Sequence, residues 1–238
     1  MIDVHSHIIP NVDDGAKNIE ETFKMIEEAK KVGFTDIIMT PHYLENYYKN
    51  DSNEIVFWTQ KLTEVLKQKQ IDLKVHFGME IYISNKMEEL LKNKAVLTLC
   101  NSRYILIEMP LSSKINYLEY VIFVIKSFNL VPIIAHPERY KYIQQQPKLI
   151  EEILNEGCLL QCNYGSILGL YGRKAKATIK RFLKNDIVDF LGSDCHMSNT
   201  IYCVIPTAIK KIKKIIGKDK IEELTNINPR KILDNEEW

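Results

Sequence analysis

The chain of 238 residues carries 32 Lys and Arg against 31 Asp and Glu, and its formal net charge is +1. This length suits a single α/β barrel, which commonly uses about 200–250 residues. A composition of 45% apolar and 26% charged residues excludes a disordered chain. The balanced charge provides no general attraction to nucleic acid or to an anionic membrane, so any anion-binding site must be local.

The amino-terminal residues and the cysteines predict the compartment. Met-Ile-Asp-Val-His-Ser-His has neither the basic nor the apolar segment of a secretory signal. The longest apolar runs are too short to cross a bilayer. The five cysteines form no paired framework, which is typical of reduced thiols. We therefore expect a cytoplasmic protein that is not inserted in a membrane.

Short β-rich runs alternate with helical segments along the chain. Strands are predicted at 2–4, 36–39, 74–77, 104–107, 131–135, 158–162 and 188–191. Helices are predicted at about 18–33, 54–69, 117–128, 147–155, 174–184, 206–216 and 221–233. The strands are apolar throughout, as parallel strands buried on both faces are. The pattern predicts one domain over 1–238, either a closed or nearly closed β/α barrel or a doubly wound open sheet.

Imidazoles and carboxylates follow most of the predicted strands at their carboxyl ends. The set is His5, His7, His42, Glu80, Glu108, His136, Asp194 and His196. In a β/α barrel these ends meet on one face, where active sites form. Imidazole and carboxylate without thiolate suit divalent metals, and eight ligands are enough for two or three ions. Cys195 is expected to be a packed thiol, and His76 a core residue outside the site.

Several short motifs contain these residues. They are His5-Ser-His7, Asp13-Asp14-Gly15, Thr40-Pro41-His42-Tyr43, Gly78-Met79-Glu80, Glu108, Ala135-His136-Pro137-Glu138-Arg139-Tyr140 and Gly192-Ser193-Asp194-Cys195-His196. With them, residues 1 to about 235 resemble the polymerase and histidinol phosphatase (PHP) superfamily. Within it, the chain is similar to the CpsB/CapC-type bacterial tyrosine phosphatases encoded with capsule or exopolysaccharide machinery. The resemblance implies a distorted seven-stranded β/α (TIM-like) barrel.

The resemblance also implies roles for individual residues. It implies up to three metal ions, most commonly Mn²⁺ and sometimes Fe or Zn. One ion would be held by His5, His7, Glu80 and Asp194, and a second by Glu80, Glu108 and His136. The third would be held by His42 and His196, with Asp14 near them. Arg139 would bind the substrate phosphate. Asp14 would orient the nucleophile or protonate the leaving oxygen. Ile201 stands where the family has a second phosphate-binding arginine, and Arg173 is a candidate substitute.

The expected function is a metal-dependent protein-tyrosine phosphatase that acts on the phosphorylated tail of a bacterial tyrosine kinase. No cysteine is followed by an arginine six residues later, so the sequence lacks the loop of a cysteine-dependent phosphatase. It also lacks a P-loop and a Gly-x-Ser-x-Gly elbow. Two alternatives stay open: a small-molecule phosphatase such as a histidinol phosphatase, and a metal-binding regulatory protein with weak activity.

Two further segments have more than one interpretation. Lys210, Lys211, Lys213 and Lys214 alternate with isoleucines in a basic amphipathic helix. Such a helix usually exposes its charged face to water, and less commonly it binds an anionic partner. The loop 43–49, which contains Tyr47 and Tyr48, could either line the site or pack as an ordinary loop.

Overall fold

The computed structural model describes residues 1–238, in which strands and helices alternate. The strands are β1 (Ile2–Ser6), β2 (Asp36–Met39), β3 (His42–Tyr43), β4 (Lys74–Phe77), β5 (Glu80–Tyr82), β6 (Tyr104–Glu108), β7 (Val131–Ala135), β8 (Leu159–Asn163) and β9 (Phe190–Gly192). The helices are α1 (Ile19–Lys31), α2 (Ser52–Gln68), α3 (Met87–Lys92), α4 (Leu118–Ser127), α5 (Lys141–Gln145), α6 (Leu149–Asn155), α7 (Tyr164–Leu168), α8 (Gly172–Lys184), α9 (Ile201–Glu222) and α10 (Asn228–Asp234).

All strand pairs are parallel, as predicted, but the predicted distorted seven-stranded barrel is not confirmed, because the strands form two separate sheets. One sheet has the order β1-β2-β4 and the other has the order β3-β5-β6-β7-β8-β9. Thr40 and Pro41 separate β2 from β3, and Gly78 and Met79 separate β4 from β5. Pro41 has no N–H to donate to a ladder. The two breaks divide what the sequence pattern predicts as one continuous sheet.

Backbone hydrogen bonds join the two sheets beyond their named strands. The amide of Asp194 donates to the carbonyl of His5 at 2.8 Å, and the amide of His7 donates to the carbonyl of Cys195 at 2.9 Å. The amide of Glu80 donates to the carbonyl of Pro41 at 3.1 Å. The carboxyl ends of strands from both sheets are therefore held close together.

Two buried clusters support this arrangement. The larger contains 52 residues, mostly between the strands and the surrounding helices. The smaller contains 11 residues, and it includes Val4 and Ile38 from one sheet and Leu106 and Ile133 from the other. Alternate strand residues thus pack against each other across the two sheets. No helix of the structure is long and apolar enough to cross a membrane.

The predicted elements agree with the observed ones in type more often than in bounds. The strands predicted at 36–39, 74–77 and 131–135 have the observed limits, whereas the one predicted at 158–162 lies one residue later as β8. The strands β3 and β5 were not predicted because two or three residues are too few to show a period. The helix predicted from Pro206 begins at Ile201, and Gly217, with a φ of 84°, interrupts it.

Candidate metal centre

The eight predicted ligands form one cluster where the two sheets meet. Three groups of donor atoms within it lie close enough to hold a metal ion. In the first group, Nε2 of His5 lies 3.1 Å from Nε2 of His7 and 3.2 Å from Oε2 of Glu80. Oδ1 of Asp194 lies 3.5 Å from the same two histidine nitrogens. The four donor atoms come from β1, from the residue that follows it, from β5 and from the segment after β9, and they lie close together.

The second group lies on the other side of Glu80. Nε2 of His136 is 3.0 Å from Oε1 of Glu80 and 3.7 Å from Oε1 of Glu108. Nδ1 of His42 lies 2.9 Å from Oε2 of Glu80 and 3.8 Å from Oε2 of Glu108. Because its two oxygens face different histidines, Glu80 can bridge two ions.

The third group lies nearer to solvent. Oδ1 of Asp14 is 3.5 Å from Nε2 of His42 and 3.4 Å from Nε2 of His196. The Asp14 side chain is 54% exposed, whereas that of Glu80 is fully buried. The structure thus brings Asp14 into contact with both histidines of this group and leaves one side of it open to water.

The donor chemistry of the cluster fits divalent metal ions. Oε2 of Glu80 is buried and accepts no hydrogen bond, although nitrogens of His5, His7 and His42 lie within 3.4 Å of it. A buried carboxylate oxygen without a partner is costly, and a cation would remove that cost. Imidazole nitrogens and carboxylate oxygens are the donors that Mn, Fe and Zn accept.

The charges of the cluster also favour bound cations. Burial alone would lower the pKa of His5, but the carboxylates of Glu80 and Asp194 raise it to about 9. Burial raises the pKa of Glu108, and the carboxylate of Glu80 raises it further. The carboxylates of the cluster carry negative charge, and neutral imidazole rings carry no positive charge to offset it. The cluster therefore attracts protons or metal ions.

Residues that the sequence did not single out orient the histidines. Nδ1 of His5 donates to Oε1 of Gln161 at 2.8 Å, and Nδ1 of His7 donates to Oδ2 of Asp13 at 2.7 Å. Each bond leaves Nε2 of the ring free to act as a ligand, which is how histidines at metal sites are commonly held. The adjacent aspartate pair was a visible signal for Asp13, but Gln161 inside an apolar strand gave none.

The backbone is strained at two of the candidate ligands. His136 has a φ of 35° and Asp194 has a φ of 52°, both in the left-handed region that non-glycine residues seldom adopt. Oδ2 of Asp194 accepts a hydrogen bond from Nδ2 of Asn163 at 2.7 Å. Strained backbone held in place by such contacts is typical of functional sites.

Arg139 lies beside the cluster and completes its rim. Its Nη1 donates to Oδ2 of Asp194 at 2.5 Å, and its guanidinium lies 4.5 Å from the ring centre of Tyr171. The side chain is 22% exposed. The ring of Tyr48 stacks on His42 with 6.0 Å between centres. Two aromatic side chains and one cation therefore flank the opening.

The remaining predicted residues have mixed outcomes. Cys195 is a packed thiol as expected, because burial raises its pKa to about 12 and its Sγ donates to the carbonyl of Met197. His76 lies outside the cluster but is not a core residue, since it is 27% exposed and contacts Asp36 at 3.0 Å. Ile201 is buried, and Arg173 is exposed and forms no ion pair.

Comparison with known proteins identifies the family. Residues 1–234 match the family model described as capsular polysaccharide synthesis, CpsB/CapC. The chain belongs to the CpsB/CapC family. Among its relatives, it is 32% identical to the tyrosine-protein phosphatase YwqE of Bacillus subtilis over 99% of this chain and 92% of that protein. It is 33% identical to the tyrosine-protein phosphatase CpsB of Streptococcus pneumoniae over 98% of both chains.

Solved structures agree with this membership. A crystal structure from work on YwqE and CpsB, described there as unique metal-dependent tyrosine phosphatases, superposes with a TM-score of 0.94 at 31% identity. It covers all of this chain and 96% of the other. The histidinol phosphate phosphatase of Lactococcus lactis has a TM-score of 0.60 at 17% identity, over 90% of this chain and 93% of that one. At this identity, the second likeness shows a shared fold.

Proposed function

We propose that the chain is a metal-dependent protein-tyrosine phosphatase formed by a single domain over 1–238. One observation carries the proposal: five histidines and three buried or half-buried carboxylates converge next to an arginine at the opening between the sheets. Family membership and the activity named for the relatives agree with it. The absence of an arginine six residues after any cysteine argues against a thiol nucleophile.

The proposed ligand sets are those that the family resemblance implies. One ion would be held by His5, His7, Glu80 and Asp194, a second by Glu80, Glu108 and His136, and a third by His42 and His196 with Asp14. The donor atoms that lie closest together overlap with these sets in part: they belong to His5, His7 and Glu80, to His42, Glu80 and Glu108, and to His7, Asp14, His42 and His196. Mn²⁺ is the proposed metal, with Fe or Zn as alternatives. Bound divalent ions would supply a hydroxide nucleophile at neutral pH and neutralise the phosphoryl oxygens.

Arg139 is the proposed phosphate-binding residue. A guanidinium can donate two parallel hydrogen bonds to a phosphate, and it forms them more specifically than an ammonium group does. The ring of Tyr171 holds this guanidinium in place from one side. The bond to Asp194 orients it toward the cluster.

Asp14 is the proposed acid or orienting base. Its carboxylate reaches both His42 and His196 and is also open to solvent. The hydrogen bond with His196 lowers the pKa of Asp14, which favours the orienting role over proton donation to the leaving group. A tyrosyl leaving group has a pKa near 10, so it needs less protonation than a serine alkoxide. The site therefore suits phosphotyrosine better than phosphoserine.

The proposed substrate is the phosphorylated tail of a bacterial tyrosine kinase in the cytoplasm. Removal of these phosphates would regulate the synthesis of capsule or exopolysaccharide. Family membership supports this assignment. To identify the kinase, phosphorylated tails of candidate kinases encoded in the same genome can be tested as substrates.

The test uses the purified chain reconstituted with Mn²⁺. We expect hydrolysis of p-nitrophenyl phosphate and of a phosphotyrosine peptide, loss of both activities with EDTA, and no loss after alkylation with iodoacetamide. Metal analysis of the same sample should give two to three ions per chain, as the three groups of donor atoms require.

Three outcomes would contradict the proposal or its site. Faster turnover of histidinol phosphate than of the phosphotyrosine peptide would favour a small-molecule phosphatase. Stoichiometric metal with no phosphatase activity on any substrate would favour a regulatory protein. Full activity of His136→Ala would overturn the assignment of the site.

A further inference from the structure

A groove lined by lysines lies between α7, α8 and α9, outside the candidate metal centre. Its volume is about 320 Å³ and the apolar residues in its wall are Ile167 and Ile215. The lysines that line it are Lys176, Lys180, Lys184, Lys211 and Lys214. The wall contains no acidic residue. A chain with a net charge of only +1 thus concentrates five positive charges in one concave surface.

These lysines have no partners in the protein. None of them forms an ion pair, although lysines elsewhere in the chain pair with Glu45, Glu88 and Glu152. The helix α8 contains no Asp or Glu, and α9 has none before Asp219. A helix surface that only needs to be soluble usually mixes both signs of charge, because like charges at this spacing repel each other. The lysines that line the groove therefore repel one another, and a bound anionic ligand would reduce this repulsion.

The groove begins close to the candidate metal centre. The first residue of α8 follows Tyr171, whose ring holds Arg139, and α9 begins five residues after His196. Lys176, Lys180 and Lys184 are four residues apart and therefore lie on one face of α8. At 1.5 Å per residue, Lys184 lies about 18 Å along the helix from its start at Gly172. The lysines therefore extend away from the opening in a row.

We propose that this groove binds an acidic segment of the protein substrate next to the phosphotyrosine that enters the metal centre. The proposal rests on the proposed function. An extended peptide spans about 3.3 Å per residue, so about six residues cover the length of α8 from Gly172 to Lys184. Carboxylates, or further phosphates, in that stretch would each meet a lysine. The occupant is a polypeptide because a narrow groove between two helices fits an extended chain better than it fits a flat bilayer.

The main test compares matched peptides on the Mn²⁺-loaded full chain. Each peptide carries one phosphotyrosine, with six glutamates on its amino-terminal or its carboxyl-terminal side, and a control peptide has glutamines instead. The variant is Lys180→Glu/Lys184→Glu/Lys211→Glu. The control variant Lys30→Glu/Lys67→Glu/Lys74→Glu makes the same change of net charge with exposed, unpaired lysines elsewhere. Thermal unfolding of both variants checks that they fold.

For one of the two acidic peptides, we expect the groove variant to raise KM about 5- to 20-fold at low salt with kcat unchanged. The glutamine peptide and free phosphotyrosine should keep the KM of the unaltered chain. The control variant should leave all values within about twofold. The difference should shrink at 0.5 M NaCl because salt screens exposed charges.

Other outcomes separate this proposal from the proposed function. An equal KM for acidic and glutamine peptides in the unaltered chain would overturn the groove as a substrate site, while phosphatase activity itself would still stand. Absence of all phosphatase activity would overturn the proposed function. Binding of an acidic peptide to the groove would then be measured by the fluorescence anisotropy of a labelled, unphosphorylated peptide. Loss of binding to phosphatidylserine vesicles in the groove variant, without any change for peptides, would assign the groove to a membrane instead.

Discussion

Oδ2 of Asp13 accepts hydrogen bonds both from Nδ1 of His7, at 2.7 Å, and from the backbone amide of His42, at 3.0 Å. One carboxylate oxygen therefore orients the ring of His7 and fixes the backbone at His42, two residues whose donor atoms lie in one group with those of Asp14 and His196. Burial would raise the pKa of Asp13, but His7 lowers it to about 2. Asp13 thus stays ionised at every pH at which the protein is expected to work.

Asp13→Asn should weaken metal binding about 10- to 100-fold, because one amide oxygen cannot replace both carboxylate oxygens, which together accept from His7, His42 and Gly15. Competition with a fluorescent chelator measures the affinity directly. Asp72→Asn, which changes an exposed aspartate, is the matched control and should bind metal like the unaltered chain. An unchanged affinity in Asp13→Asn would show that the pair does not support the metal centre.

Arg139→Lys should raise KM for a phosphotyrosine peptide about tenfold or more and weaken inhibition by inorganic phosphate. Lysine keeps the charge but loses both the paired donors and the planar contact with Tyr171. The metal content should stay unchanged, because Arg139 contributes no ligand atom to the three groups. A variant with normal phosphate inhibition would remove Arg139 from the phosphate site.

Gly15→Ala should destabilise the loop that carries Asp13. An added Cβ would lie 2.1 Å from the carbonyl oxygen of His7, so the backbone must move. We expect a loss of about 2–4 kcal/mol in the free energy of unfolding, measured with urea. Gly217→Ala is the comparison, since its Cβ meets nothing and only its φ of 84° is unfavourable. That variant should lose about 1–3 kcal/mol, because the backbone of Gly217, with a ψ of 179°, lies in a region that is nearly restricted to glycine.

Asp189 should make the stability depend on pH. Burial raises its pKa to about 6, although the amide of Leu160 donates to it at 2.8 Å and opposes the rise. The unfolded chain has an ordinary aspartate pKa near 3.9, so between about pH 4 and 6 the folded state binds more protons. The contribution of Asp189 to stability therefore falls as the pH rises through this window.

Asp189→Asn removes this titration and keeps an acceptor for Leu160. From pH 5 to pH 7.5 the variant should gain about 1 kcal/mol relative to the unaltered chain, because one pKa unit corresponds to about 1.4 kcal/mol. Urea unfolding of both proteins without metal gives the difference at each pH. A difference that is the same at both pH values would contradict the shifted pKa.

The sequence predicted which side chains cluster better than it predicted the sheet. The clustering could be predicted because parallel strands deliver their next residues to one face, and the structure brings His5, Glu80 and Asp194 together in this way. The division into two sheets could not be predicted. It depends on how Pro41 and Gly78 break the ladders, and the one-dimensional pattern does not show which strands pair.

The supporting residues were harder to predict than the ligands. Gln161 lies in an apolar strand and is recognised as a partner of His5 only when β8 is placed beside β9. Asp13 and Asp14 are adjacent, and the pattern does not show that the first is buried against His7 while the second reaches the opening. Such roles follow from tertiary contacts between residues far apart in the chain.

The hydrogen bonds that join β1 to the segment after β9 have a consequence for biosynthesis. Ser193 donates its amide to Asp3 across 190 residues of chain, and Asp194 donates to His5 beside it. Contacts of such large sequence separation close late in folding, because the entropy of a long loop must be lost before they form. A nascent chain that has not yet released residue 196 from the ribosome therefore lacks part of the candidate metal centre.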